Sequence, residues 1–224
     1  MFDLAYLLSA LPRLLQFMYL TVTIAVLAIT IGLILGLLLE TAIRRNMLFL
    51  STFSKIYISF FRATPLLVQL FILYYGIPQV FPAFGDMNAY TATVIGISLN
   101  CAAYLAEIIR AAIRSIDYGQ WEACQSIGMT RWQSMRRIIL PQALRIALPS
   151  FGNTFVTVIK ETSLGFTLGL TEMMAQAKLM AADTYKFLEA FLAAAILYWL
   201  VAIVYGYIQT AMEKRVNRPY GSEV

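Results

Sequence analysis

The stretch Glu122–Pro141, EACQSIGMTRWQSMRRIILP, decides the reading of this chain. It is polar and basic, it lies between strongly apolar runs, and its local signals outline two helices around a break. Asp117 is placed to cap a first helix, with Gln120 at the third helical position. Gly128 suits the left-handed residue that closes that helix. Thr130 then caps a second helix, and Gln133 completes a capping box. In that second helix Trp132, Met135, Ile138 and Ile139 recur at helical spacing, while Arg131, Arg136 and Arg137 take other faces. Pro141 is expected to disturb or end it. On pattern alone the segment is an amphipathic loop at a membrane face, its arginines held by anionic head groups.

The rest of the chain has the composition of an integral membrane protein. Of 224 residues, 60% are hydrophobic and 13% charged, with a mean hydropathy of +0.73. A soluble domain is about half apolar and about a quarter charged. The net charge of +5 reads in such a chain as basic cytoplasmic loops, not as a nucleic-acid footprint. There is no histidine, and Cys101 and Cys124 stand alone. That argues against zinc, haem or iron–sulfur ligation and against a disulfide framework. The start, MFDLAYLLSALPRLL, lacks the basic region and cleavage site of a signal peptide, so the first long apolar run is expected to be retained. No internal repeat is evident, which counts against the duplicated secondary transporters.

A bilayer core needs about 20 apolar residues in a helix. Residues 1–12 are too short to span and read as an interfacial helix stopped near Pro12. Spans are expected over residues 14–39, 63–81, 89–109, 146–170 and 187–212, all in one transmembrane domain, 1–224. Residues 40–55 read as a connection, and Arg62 as a side chain that snorkels to the head groups. Gly32 and Gly36 form a GxxxG, which either admits another helix closely or is a glycine pair tolerated in a membrane helix. Twelve basic residues, among them Arg44, Arg45, Arg114, Arg136 and Lys214, fall on one side, and Arg13, Lys178 and Lys186 on the other. This bias puts the first side in the cytoplasm, the N-terminus outside and the C-terminus inside. The organising stretch then lies in the longest cytoplasmic loop, about residues 114–145.

That stretch resembles the EAA loop of ABC importer permeases. Glu122, Ala123, Gly128, Ile138, Leu140 and Pro141 match its pattern at every spacing, and Cys124 stands where a second alanine is usual. The resemblance extends to FFRATPLLVQLFILYYGIP (Phe60 to Pro78), AYLAEIIRAAIRSI (Ala103 to Ile116), GQWEA (Gly119 to Ala123) and KETSL (Lys160 to Leu164). These look like permeases of the polar amino acid uptake family. The resemblance implies an all-α integral membrane protein, a five-helix type I ABC importer permease core with a cytoplasmic two-helix coupling loop in a bacterial inner membrane. It implies a dimer of ATP-binding subunits that receives the loop, a second permease, identical or not, and an extracytoplasmic amino-acid-binding protein. The chain shows no GxxxxGK[ST], so ATP and magnesium are expected on the separate ATPase and no cofactor on this chain. Within the family the motifs favour L-cystine, with glutamine, glutamate or a basic amino acid as alternatives.

Small residues at Ala123, Cys124 and Gly128 suit close approach by a partner, and Glu122 suits a cap or a charged hydrogen bond. For the path, polar groups in hydrocarbon usually face the bundle interior. Gln69, Asn100 and Glu161 lie in spans two, three and four, and Thr154, Thr157 and Glu161 share one helix face. That face has the chemistry to hold the ammonium of an amino acid, although Asn100 also suits a helix–helix hydrogen bond and Glu161 a pair with Lys160. A stand-alone channel or secondary carrier would need no docking loop. A membrane-embedded enzyme would need a nucleophile and base that the sequence does not present.

Overall fold

The structure, a computed structural model, describes residues 2–218; Met1 and residues 219–224 of the expected domain lie outside it. Every regular element among the described residues is helical. In order they are α1 (Leu4–Leu15), α2 (Met18–Arg44), α3 (Leu48–Ala63), α4 (Leu66–Phe71) and α5 (Ile77–Val80), then α6 (Ala89–Arg114), α7 (Tyr118–Ser126) and α8 (Arg131–Ser134). The chain ends with α9 (Leu140–Glu161), α10 (Met173–Thr184) and α11 (Phe187–Asn217). By length and composition α2, α6 and α11 can each cross a membrane. A fourth candidate is broken: α3 and Leu66–Val80 meet at a bend of 113°. Helix α9 carries Arg145, Lys160 and Glu161 and does not reach that apolarity, so a count of five spans rests on it.

The centre of the bundle is α6, whose buried face runs from Ala92 to Ala112 and packs against α2, α3 and α9. Its partner on α2 is the GxxxG. A Cβ on Gly32 would lie 3.2 Å from Cys101 Cβ, and one on Gly36 would lie 2.9 Å from the Ala102 carbonyl oxygen. The glycines thus let two backbones touch, with Ala102 and Ala106 as the small residues opposite Gly36. Above this contact Ile24, Ala25, Ala28, Ile97, Val158 and Ile159 close a core shared by α2, α6 and α9.

A second core joins α1, α10 and α11 through Leu7, Leu14, Met173, Ala177 and Leu197. The N-terminus is tied to it by polar contacts. Asp3 caps α1 by accepting from the Tyr6 N–H at 2.9 Å, and Lys186 Nζ pairs with Asp3 Oδ2 at 2.5 Å. The Lys186 ammonium, with that N–H, holds the Asp3 carboxyl below its ordinary range. Helix α1 is therefore a packed part of the bundle, and Pro12 lies inside it.

Several expected boundaries move. The first span begins at Met18, because Leu14 and Leu15 still belong to α1, and it runs on to Arg44. The connection read over 40–55 is mostly helix, since α3 starts at Leu48. Its charges suggested a loop, but Ser51, Ser54 and Ile58 turn one face inward and Phe49, Phe53 and Ile56 turn outward. The expected fourth span, 146–170, ends as an α-helix at Glu161, and a 3₁₀ turn over Thr162–Leu168 follows up to the left-handed Gly169.

The α2–α6 contact gives a direct test. Gly36→Leu drives a side chain into backbone, where overpacking costs about 1–3 kcal/mol. The variant should melt several degrees below wild type in detergent, and Gly36→Ala should fall between the two. An unchanged melting temperature for Gly36→Leu would remove this contact from the core of the fold.

Candidate functional site: the α7–α8 hairpin and the polar residues of the bundle

The hairpin is built from its caps. Asp117 Oδ1 accepts from the Gly119 N–H at 2.6 Å and starts α7. Gly128, at φ +75°, closes it. Its N–H reaches the Gln125 carbonyl at 2.9 Å, and the Met129 N–H reaches Cys124 at 3.0 Å, the paired bonds of a Schellman turn. Thr130 and Gln133 then form the expected capping box: the Thr130 N–H donates to Gln133 Oε1 at 2.8 Å, and the Gln133 N–H donates to Thr130 Oγ1 at 3.3 Å.

Pro141 does not end the second helix. A π turn over Met135–Ile139 precedes it, and the chain continues as α9 with Pro141 in the first turn. Widening the turn by one residue gives the proline ring room and removes the need for its missing N–H. The hairpin is consequently fused to α9. Met135, Ile139, Ala143 and Ala147 form one buried stripe, which packs with Ala112 and Ile116 at the end of α6. Trp132 departs from the expected apolar face and is exposed.

Helix α7 has three faces. Cys124 is buried, so it packs within its own chain instead of meeting a partner, a correction to its expected place beside Ala123. Gly119, Ala123 and Ser126 are exposed on another side, next to the exposed Glu122. Tyr118, Trp121 and Gln125 form the third. At the turn, a Cβ on Gly128 would meet nothing of this chain within 4 Å. Ile138 is half-buried against the α6 core, whereas Leu140 is exposed.

The five path candidates separate into two groups. Gln69 and Asn100 are buried and bonded to the bend between α3 and α4. Pro65 has no N–H to offer the Phe61 carbonyl. That carbonyl instead accepts from Gln69 Nε2 at 3.0 Å and from Asn100 Nδ2 at 3.1 Å. Gln69 also donates to Thr64, and its own Oε1 accepts from Asn100 at 2.9 Å. Both amides therefore serve the backbone of the bend. Thr154, Thr157 and Glu161 do share one face of α9. The two hydroxyls donate to the Ser150 and Asn153 carbonyls one turn back, which leaves their oxygen lone pairs outward. Glu161, half-buried, has no ion pair among the described residues.

Two features were not read from sequence. Arg62, at the end of α3, does not merely snorkel: it pairs with Glu107 of α6 at 3.4 Å and lies 5.9 Å from the Tyr104 ring centre. Glu107 also pairs with Arg110, three residues on in α6, which the spacing in the sequence does allow. Glu172, fully buried, caps α10 by accepting from the Ala175 N–H at 2.8 Å and receives the Tyr198 hydroxyl at 3.3 Å. The first pair joins residues far apart in sequence, so only folding reveals it. Glutamate is not one of the usual N-cap residues, so the cap made by Glu172 carries no signal in the sequence.

This architecture and this hairpin recur in known proteins. The chain is 50% identical over 218 residues to the "Probable amino-acid permease protein YxeN" of Bacillus subtilis (strain 168), covering 97% of each chain. It is 38% identical to the "L-cystine transport system permease protein TcyL" of the same organism, covering 97% of this chain and 92% of that one. A solved structure, "Crystal structure of an amino acid ABC transporter with histidines", superposes with a TM-score of 0.88 at 32% identity, over 96% of this chain and 99% of that one. The family model described as "Binding-protein-dependent transport system inner membrane component" matches residues 28–218. The bent pair, the α6 core and the capped hairpin thus form a type I ABC importer permease core, and the chain belongs to the family of inner membrane components of binding-protein-dependent transport systems.

Proposed function

We propose that this chain is the membrane subunit of an ATP-driven importer for a polar amino acid, and that the α7–α8 hairpin is the element that receives the ATPase. The observation that carries this reading is the exposed small-residue face, Gly119, Ala123 and Ser126, on a hairpin fused to α9 and packed on α6. A partner that grips this face moves two bundle helices as one body. Glu122, exposed beside that face, offers a charged contact; Ile138 and Pro141 hold the hairpin to α9, and Leu140 is exposed where the two join. ATP and magnesium belong to two copies of the ATP-binding subunit, a second permease completes the path, and a binding protein delivers the amino acid outside. The basic residues put the hairpin end in the cytoplasm and the N-terminus outside, which impermeant labelling of single introduced cysteines checks.

The path runs along the face of α9 that carries Thr154, Thr157 and Glu161, with the Glu161 carboxylate facing the ammonium of the substrate. L-cystine is the favoured substrate, from the motif likeness and the L-cystine permease relative, and glutamine, glutamate or a basic amino acid are the alternatives. Calorimetric binding of an amino acid panel to the cognate binding protein decides among them.

Two variants test the two halves of the proposal. In Gly128→Val a β-branched residue is forced to φ +75°, a conformation it strongly disfavours. Co-purification with the ATPase, or substrate-stimulated hydrolysis in the reconstituted complex, should be lost while the permease still inserts. Gly128→Asn tolerates this backbone far better and isolates the effect of bulk at the interface. Normal docking, hydrolysis and uptake in Gly128→Val would remove the hairpin from the coupling role. In Glu161→Gln the complex should assemble and uptake should fall roughly tenfold or more, the worth of one charged hydrogen bond. Wild-type uptake of every amino acid tested would take Glu161 off the path.

A further inference from the structure

A cavity of about 830 Å³ lies between the end of α2 and the hairpin. Arg44, Arg45 and Arg131 line it, together with Tyr118, Trp121 and Trp132. No carboxylate lines it, and among the described residues none of these three arginines makes an ion pair. Three guanidinium groups around one open space repel one another, and an anion that bridges them relieves the repulsion. Guanidinium forks match phosphate oxygens in particular.

The depth of the cavity indicates which phosphate. Arg44 is the last residue of α2, the most apolar of the candidate spans, so the cavity opens where that helix leaves the hydrocarbon. Tryptophan and tyrosine favour that same level. On α2 the exposed residues Leu27, Ile31, Ile34 and Leu38 follow one another at helical spacing, and two turns beyond Leu38 on the same line stands Arg45. An apolar stripe thus runs down the helix and ends at the cationic cavity, an arrangement that matches an amphiphile with chains above and an anionic head below. The occupant does not compete with the partner proposed for the hairpin. Tyr118, Trp121 and Gln125 face the cavity, whereas Gly119, Ala123 and Ser126 present a different face of α7.

We propose that this cavity binds the phosphate head group of an anionic phospholipid whose chains lie along the exposed face of α2. Bound there, the lipid bridges α2 to α7 and α8. The proposal requires the membrane placement of α2 and not the docking of the ATPase, so the two readings fail separately.

The test uses the assembled transporter complex in nanodiscs of phosphatidylcholine with a minor fraction of phosphatidylglycerol. Native mass spectrometry of the released complex counts the lipids that stay bound. Wild type should retain phosphatidylglycerol in preference to phosphatidylcholine. The triple variant Arg44→Gln, Arg45→Gln, Arg131→Gln should lose that preference, by roughly fivefold per arginine removed. The double variant Arg136→Gln, Arg137→Gln removes two exposed arginines outside the cavity and should keep it. Should the triple variant not assemble, Arg45→Gln alone should still show a severalfold loss. Equal retention by wild type and the cavity variants would overturn the proposal, as would an equal loss in the Arg136, Arg137 control. Displacement of the lipid by millimolar glycerol phosphate would assign the site to a soluble phosphate and overturn the lipid reading as well.

Discussion

A buried backbone carbonyl left without a hydrogen bond costs about 1–3 kcal/mol. Pro65 strands the Phe61 carbonyl in this fold, and the structure around it is arranged to answer that deficit. Gln69 from α4 and Asn100 from α6 both donate to it. The bend of 113° between α3 and the helix after it is therefore pinned to the central helix and is not a loose corner. The same pinning brings Arg62 to Glu107 on α6. Gln69 and Asn100, polar groups inside the bundle, satisfy the backbone of the bend.

A second proline meets the same constraint differently. Pro141 follows a π turn, and the helix passes through it unbroken. The consequence is mechanical. A helix that stopped at Pro141 would leave the hairpin on a flexible tether, whereas the observed one carries a buried stripe from Met135 through Ala147 without interruption. With α6 packed along that stripe, the hairpin and two bundle helices form one body. This is the property a coupling element needs, because a movement absorbed by a hinge would never reach the membrane.

Local chemistry was legible in the sequence and long-range chemistry was not. Asp117, Gly128, Thr130 and Gln133 announce their caps within a few residues, and each forms as read. The close approach at Gly32 and Gly36 was one of two readings, and the structure adopts it against Ala102 and Ala106. Helix α3 was missed because Arg44, Arg45 and Lys55 suggested a solvated connection, and its amphipathic face is short. Gln69 and Asn100 stand in the sequence as path candidates, with a helix–helix hydrogen bond as the other reading of Asn100, because a sequence shows that a buried amide must have a partner but not which one; the helix–helix bond is the one that forms. The burial of Cys124 follows from how α7 docks, which no pattern within α7 specifies.

The central claim is that the small-residue face of α7 is where the ATPase sits. It is tested most directly by cross-linking from Ala123→Cys, made in a complex free of Cys101 and Cys124, to the purified partner subunit. The account predicts a permease–ATPase product from position 123 whose yield changes between nucleotide-free and ATP-bound states, and none from a cysteine at Leu144, which is exposed on α9. A product from Leu144 and none from position 123 would contradict it.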